Sequence, residues 1–113
     1  MVVAMFTMTM AFAENENNST LNSAESYDMT VNMRKLAVTL DLTTDQMEAV
    51  QDIHTAFCNE MMLAAYAHTS ERENLVDEAV KKDVRYMHYI LDEKQYKKYL
   101  TLLNATLVNR GLK

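Results

Sequence analysis

A helix-start motif occurs twice in the chain and constrains its fold more than any other feature. The copies are LTTDQ at residues 42–46 and LDEKQ at residues 91–95. In each copy an apolar residue precedes a capping residue, and glutamine follows three positions after the cap, as in a capping box with a hydrophobic staple. The motif residues are Leu42, Thr43, Gln46, Leu91, Asp92 and Gln95. Because the chain has one glycine and no proline, helix boundaries depend on such caps, and an all-α fold is predicted.

The first thirteen residues have the character of an export signal. Residues 1–13 are uncharged and apolar, they end in small residues at Ala11 and Ala13, and the polar stretch 14–27 follows directly. The run lacks a positively charged start, so an apolar N-terminal helix is the alternative interpretation. It is too short for a membrane span, which takes about 20 residues. We therefore predict a signal peptide over 1–13, export to the periplasm or medium of a bacterium, and no stable membrane insertion.

The remaining chain divides into a leader and one domain. Residues 14–27 are rich in Asn, Ser and Glu, which predicts a flexible polar leader because so few apolar side chains cannot offset the entropy of ordering. Residues 28–111 are predicted to form a single helical domain. The net charge of −5 argues against a nucleic-acid-binding surface.

Apolar periodicity predicts a first helix over 28–39 and a long second helix from the Thr43 cap to His68. The regular spacing of the second helix favours packing against an antiparallel partner. The residues of its predicted seam are Met47, Val50, His54, Phe57, Met61, Ala64 and His68.

A third helix is predicted after the break at residues 68–70, with Ser70 and Glu73 as its capping box. So short a connection favours an antiparallel hairpin. The fourth helix should begin after Asp92 and end before Gly111, which is placed to adopt the left-handed conformation of a helix end. The predicted stripes are Val76, Val80, Val84, Met87 and Leu91 on the third helix, and Tyr96, Leu100, Leu103 and Leu107 on the fourth.

The paired motifs, behind an export signal in a methionine-rich helical chain, resemble the Spy/CpxP family of periplasmic LTxxQ-motif proteins. Residues 42–46 match that motif in full, and residues 91–95 match it with Asp92 replacing threonine, an equally good cap. The resemblance covers about residues 40–109. It implies an antiparallel helical hairpin of about four helices that assembles as a curved homodimer.

The resemblance also implies a role in the envelope stress response. Spy-like members are ATP-independent chaperones that hold unfolded clients, whereas CpxP-like members restrain a membrane sensor kinase. A chaperone that holds unfolded or envelope proteins is therefore expected. The alternative is an accessory regulator or structural dimer that binds one folded envelope partner.

Five methionine and tyrosine side chains form a candidate partner-binding surface, because thioether and aromatic groups adapt to varied partners. They are Met61, Met62, Tyr66, Met87 and Tyr89. The competing interpretation places these side chains in the core or in a dimer contact.

No catalytic site, metal or cofactor is predicted. His54 and Cys58 lie one helical turn apart and are potential soft-metal ligands, but a second ligand pair is missing. Asp52, His54 and Glu60 are acid-base residues without a glycine-rich loop or a convergent polar pocket, so an enzyme is not expected. As the single cysteine, Cys58 cannot form an internal disulfide.

Overall fold

A computed structural model of the chain describes residues 24–113, and within that range the protein is all-α. Its helices are α1 (Met33–Leu40), α2 (Thr44–Ala65), α3 (Thr69–Ile90) and α4 (Glu93–Asn109). Helices α2 and α3 pack along each other as a hairpin, and α4 contacts both α3 and α1. The predicted all-α hairpin architecture is therefore confirmed. The predicted signal peptide and residues 14–23 of the predicted leader lie outside the described residues.

One hydrophobic core joins the four helices. Leu40 of α1, Val50 and Met61 of α2, and Met87 of α3 are essentially inaccessible to solvent. Helix α4 adds several buried side chains to the same cluster: Tyr99, Leu102, Leu103 and Leu107. The seam predicted for α2 is confirmed at its centre, where Val50, Phe57, Met61 and Ala64 are buried.

The buried faces of α3 and α4 are rotated relative to the predicted stripes. On α3 the fully buried positions are Val76, Ala79, Asp83 and Met87, whereas Val80 and Val84 are half-buried. On α4 they include Gln95, Tyr99, Leu102, Leu103, Thr106 and Leu107, whereas Tyr96 and Leu100 are half-buried. Val80, Val84 and Tyr96 still pack against the core as partly buried side chains, but the predicted stripes did not include the buried polar residues Asp83, Gln95 and Thr106.

Helix α1 begins at Met33, five residues later than predicted. The Asp28 carboxylate accepts a hydrogen bond from the backbone N–H of Thr30 at 3.0 Å, and this local bond competes with helix formation. The cap is Asn32, whose side-chain oxygen accepts from the N–H of Lys35 at 3.1 Å. Helix formation therefore starts where a side chain satisfies the first free amides.

The capping box predicted at Ser70 and Glu73 is not formed. Helix α3 already begins at Thr69, and the residue before it, His68, makes no side-chain capping bond. Arg72 instead stabilises the connection between α2 and α3, because it donates to the carbonyl oxygens of Ala64 at 3.3 Å and of Ala67 at 3.2 Å. These carbonyls lie at the end of α2, where a cation is favoured by the helix dipole.

The predicted ending of α4 is confirmed. Gly111 has φ = 74°, in the left-handed region. The N–H of Leu112 donates to the carbonyl of Leu107 at 2.8 Å, and the N–H of Gly111 donates to the carbonyl of Val108 at 3.0 Å. This pair of bonds is a Schellman motif.

Residues 24–32, here called the strap, are tied to α2 and α4 before α1 begins. Arg110 donates to the carbonyl oxygen of Glu25 at 3.2 Å and to those of two further strap residues. His54 Nε2 lies 2.7 Å from the carbonyl oxygen of Met29, which is 2% exposed. The last four residues of the predicted leader are therefore attached to the helical domain.

Candidate functional site

The two motif copies form two complete capping boxes, as predicted. Thr43 Oγ1 accepts from the N–H of Gln46 at 3.1 Å, and Gln46 Oε1 accepts from the N–H of Thr43 at 3.0 Å. At the second copy, Asp92 Oδ1 accepts from the N–H of Gln95 at 2.7 Å, and Gln95 Oε1 accepts from the N–H of Asp92 at 2.9 Å. Helices α2 and α4 therefore start with satisfied amides.

The two glutamines also bind each other, and we call this pair the glutamine clasp. Gln46 Nε2 donates to Gln95 Oε1 at 2.8 Å, and Gln95 Nε2 donates to Gln46 Oε1 at 3.0 Å. Gln46 Nε2 donates further to the carbonyl of Ile90 at 3.0 Å. The carbonyls of Leu40 and Asp41 both lie 3.1 Å from Gln95 Nε2, and because this nitrogen carries two hydrogens for three acceptors, one N–H is shared. The clasp thus joins the ends of α1 and α3 to the starts of α2 and α4.

The clasp gives a physical reason for glutamine in both motif copies. A capping box alone works with glutamate or glutamine, because either side chain offers an oxygen to the cap N–H. Only the amide also carries N–H donors for the other glutamine and for the backbone carbonyls. Sequence reasoning treated the copies as two separate helix starts and missed that they form one contact.

The end of α1 orients two of the carbonyl groups that the clasp uses. Asp41 adopts the left-handed conformation with φ = 57°, and the N–H of Leu42 donates to the carbonyl of Ala37 at 2.9 Å. This is a Schellman ending built on aspartate rather than glycine. It turns the chain so that the carbonyls of Leu40 and Asp41 both reach Gln95.

Two of the five residues of the predicted partner-binding surface are buried, and the exposed tyrosines lie at opposite ends of the hairpin. Met61 and Met87 are 0% exposed and belong to the core, so their assignment to a surface was wrong. Met62 is half-buried, whereas Tyr66 and Tyr89 are 76% and 77% exposed. Tyr66 follows α2 and Tyr89 lies in the last turn of α3, so the hairpin separates them by roughly the 33 Å length of a 22-residue helix.

A different set of apolar side chains is exposed on the hairpin. Leu63 on α2 and Leu75 on α3 line a shallow groove of about 330 Å³ between the two helices. Tyr66 directly follows α2, and Tyr86 and Tyr89 lie on α3 about three and four helical turns after Leu75, so they share its side of α3. We call the set the outer face: Leu63, Tyr66, Leu75, Tyr86 and Tyr89.

Charged groups lie among the apolar residues of the outer face. Lys82 Nζ crosses from α3 to Glu60 Oε2 on α2 at 2.7 Å, beside the groove. The Arg85 guanidinium lies 5.5 Å from the centroid of the Tyr86 ring, within the range of a cation–π contact. The outer face therefore combines apolar and aromatic groups with both signs of charge.

An acidic side chain is buried between α3 and α4. Asp83 is 2% exposed, and its Oδ2 accepts a hydrogen bond from the hydroxyl of Tyr99. Its Oδ1 has no hydrogen-bond partner. Burial raises the pKa of Asp83 to about 7. This effect is larger than the lowering caused by the hydrogen bond from Tyr99, and the charge of Glu60 adds to the rise. Sequence reasoning missed this pair because neither residue fitted the predicted apolar stripes.

His54 and Cys58 are held as structural groups. The Met29 carbonyl can only accept, so His54 Nε2 carries the hydrogen, and the buried Nδ1 has no partner. Burial lowers the pKa of His54 and raises the pKa of the Cys58 thiol to about 11, so the neutral forms of both are favoured. Within residues 24–113, no group of three or more His, Cys, Asp or Glu side chains is arranged to hold a metal ion.

Comparison of the chain with protein-family models, curated proteins and solved structures finds no match. The resemblance to the Spy/CpxP family therefore stays a prediction from the two motif copies. In the described part of the chain, no helix is both long and apolar enough to cross a membrane.

Proposed function

We propose that this chain is an exported, ATP-independent binding protein that holds unfolded polypeptide segments on the outer face of the α2–α3 hairpin. The observation that carries the proposal is the exposure of five large apolar or aromatic side chains on one hairpin. The motif resemblance and the export signal support the same assignment. Assembly as a homodimer remains a prediction of the resemblance.

The exposures of these side chains suit them to partner contact. Leu63 is 68% exposed and Tyr66 is 76% exposed at the end of α2, and Leu75 is 36% exposed opposite them on α3. Contiguous exposed apolar groups rimmed by polar ones commonly mark interaction sites. Tyrosine offers an apolar ring together with a hydrogen-bonding hydroxyl, so it tolerates varied partner chemistry. The two tyrosines of the α3 half, Tyr86 and Tyr89, extend this contact area.

The charged groups of the chain set the electrostatic preference for clients. The net charge of −5 favours clients with a positive charge. Surface attraction of this kind is screened within a Debye length of about 8 Å at physiological ionic strength. We expect basic clients to be bound more tightly at low salt. Salt should have little effect on the part of the affinity that comes from apolar contacts with Leu63 and Leu75.

An aggregation assay tests the proposal directly. We expect the chain, started at Glu14 and supplied in several-fold excess, to suppress aggregation of an unfolded test client. The double variant Leu63→Ser/Leu75→Ser should lose most of this suppression because it removes the apolar groups that line the groove. Both positions are exposed, so the free energy of unfolding should change by less than about 1 kcal/mol.

A control makes a similar change, from an aliphatic side chain to serine, elsewhere on the surface. Val38 on α1 and Val108 on α4 are 76% and 52% exposed and lie outside the outer face. The variant Val38→Ser/Val108→Ser should suppress aggregation as well as the unchanged chain. Absence of suppression by the unchanged chain would overturn the proposal, as would equal activity of the two double variants. Co-purification of one folded envelope protein at fixed stoichiometry would then support the regulator alternative.

A further inference from the structure

The contact between α3 and α4 contains a buried carboxyl group beside which the described residues place no cation. Asp83 is 2% exposed, and among residues 24–113 its one hydrogen-bond donor is the Tyr99 hydroxyl, while its Oδ1 has no partner. Within residues 24–113, the salt bridges are Lys81–Asp77 and Lys82–Glu60, and neither reaches Asp83. Burying an ionised carboxylate without a compensating cation is strongly unfavourable.

We propose that Asp83 and Tyr99 form a pH-sensitive latch, which holds α4 on the hairpin most tightly when the Asp83 carboxyl is protonated and loosens as solution pH rises. The latch concerns the opening of α4 and does not depend on whether the outer face binds clients. It follows from the position of the carboxyl group between two helices and from the absence of a counter-ion in the part of the chain that the structure describes.

The titratable groups around Asp83 do not offset its charge. Tyr99 faces it from α4, and Glu60 and Cys58 face it from α2. The Glu60 carboxylate repels an ionised Asp83 carboxylate, although the ion pair with Lys82 attenuates that repulsion. Burial keeps Cys58 and Tyr99 neutral, because it raises the pKa of each. In their neutral forms, these groups provide at most the single hydrogen bond from Tyr99.

The direction of the pH effect follows from proton linkage. In the closed state the pKa of Asp83 is raised from the ordinary value of 3.8 to about 7. When α4 opens, the carboxyl meets water and regains its ordinary pKa, so the closed state binds more protons over this interval. The latch is therefore fully effective below about pH 4, weakens about tenfold per pH unit up to about pH 7, and is constant above that.

Opening of α4 would uncover apolar side chains that are now buried. On α4 these include Leu102, Leu103 and Leu107. On the hairpin, Phe57 and Met61 belong to the same core cluster. The latch thus controls a second apolar surface, distinct from the outer face.

Hydrogen exchange of the α4 amides in the full chain tests the latch. Protection is measured from pH 4.5 to pH 8, and the intrinsic tenfold-per-unit rise in chemical exchange is divided out. In the unchanged chain we expect the α4 opening constant to rise by about a hundredfold between pH 4.5 and pH 7, and by only about a further twofold before it levels off. The variant Asp83→Asn should lack this rise because its amide does not ionise.

The ratio of the α4 opening constants of the unchanged chain and of Asp83→Asn distinguishes the effect of Asp83 titration from that of His54 titration. Burial lowers the pKa of His54, so protonation of His54 destabilises the closed form at low pH in both chains. Dividing one opening constant by the other cancels that common effect. The variant Glu60→Gln, which changes a neighbouring carboxylate, should keep the rise with pH. A pH-independent ratio between the unchanged chain and Asp83→Asn would overturn the latch.

A second variant keeps the proposal testable if Asp83→Asn does not fold. The Tyr99 hydroxyl lowers the pKa of Asp83 by donating to its carboxylate. In Tyr99→Phe that donor is lost, so the rise in opening should continue to a higher pH than in the unchanged chain. A levelling-off at the same pH in both chains would contradict the assignment of the transition to this pair.

Discussion

Replacing Gln46 with glutamate is expected to lower the free energy of unfolding by about 2–4 kcal/mol at pH 7. The change is nearly isosteric and preserves the oxygen that accepts from the Thr43 N–H. It removes the N–H donors to Gln95 Oε1 and to the carbonyl of Ile90. A carboxylate would then face two acceptor oxygens at a partly buried corner. Urea unfolding at pH 7 measures the loss.

A second glutamine on the same helix provides the control. Gln51 is exposed on α2, and Gln51→Glu should change the free energy of unfolding by no more than about 0.5 kcal/mol. Below about pH 4 the carboxyl introduced at position 46 becomes protonated and regains one donor, so the cost of Gln46→Glu should shrink. Equal costs for the two substitutions at pH 7 would show that the corner needs only a capping oxygen.

Two adjacent methionines of α2 differ in burial. Met61 is 0% exposed, and Met61→Ala is expected to destabilise the chain by about 2–5 kcal/mol, because it removes buried contacts and leaves a cavity. Met62 is half-buried, and Met62→Ala should cost less than about 1.5 kcal/mol. Thermal or urea unfolding of both variants gives the comparison.

This comparison holds residue type and helix propensity constant, so the difference reports burial alone. If the two alanine substitutions cost the same, Met61 would not be the core residue described here. A loss of client binding in Met61→Ala without loss of stability would return Met61 to the predicted partner-binding surface.

Local sequence signals predicted the elements that depend on local chemistry. Thr43 and Asp92 mark the starts of α2 and α4 because their side chains accept hydrogen bonds from the backbone N–H groups three residues later. Gly111 marks the end of α4 because its left-handed backbone favours a residue without Cβ. The centre of the α2 seam was also predictable, since its apolar residues recur at helical spacing and most face the core.

Features that require two distant segments were not predictable from one sequence. Gln46 and Gln95 each fit a local capping box, so nothing in either motif copy signals the bond between them. Asp83 lies among apolar neighbours only after α4 has packed on α3 and brought Tyr99 to it. At Ser70 the local signal for a cap was present, but α3 begins at Thr69, two residues earlier than a Ser70 cap implies, and Arg72 stabilises the connection.

The start of α1 shows two local signals in competition. The apolar spacing from Met29 onward fits a helix, but Met29 is buried as part of the strap, in a segment outside the helices. Asp28 turns back on Thr30, and Asn32 then supplies the cap. Periodicity alone does not distinguish a helix from an extended segment that buries one side chain by tertiary contact.

A double-mutant cycle on the glutamine clasp tests the central claim that the two motif copies act as one contact. Gln46→Met, Gln95→Met and the double variant are unfolded in urea under the same conditions. We expect the double variant to cost less than the sum of the single ones, with a coupling energy above about 1 kcal/mol, because each single change already breaks the hydrogen bonds between the two side-chain amides. Costs that add within about 0.5 kcal/mol would show instead that the two copies are independent helix caps.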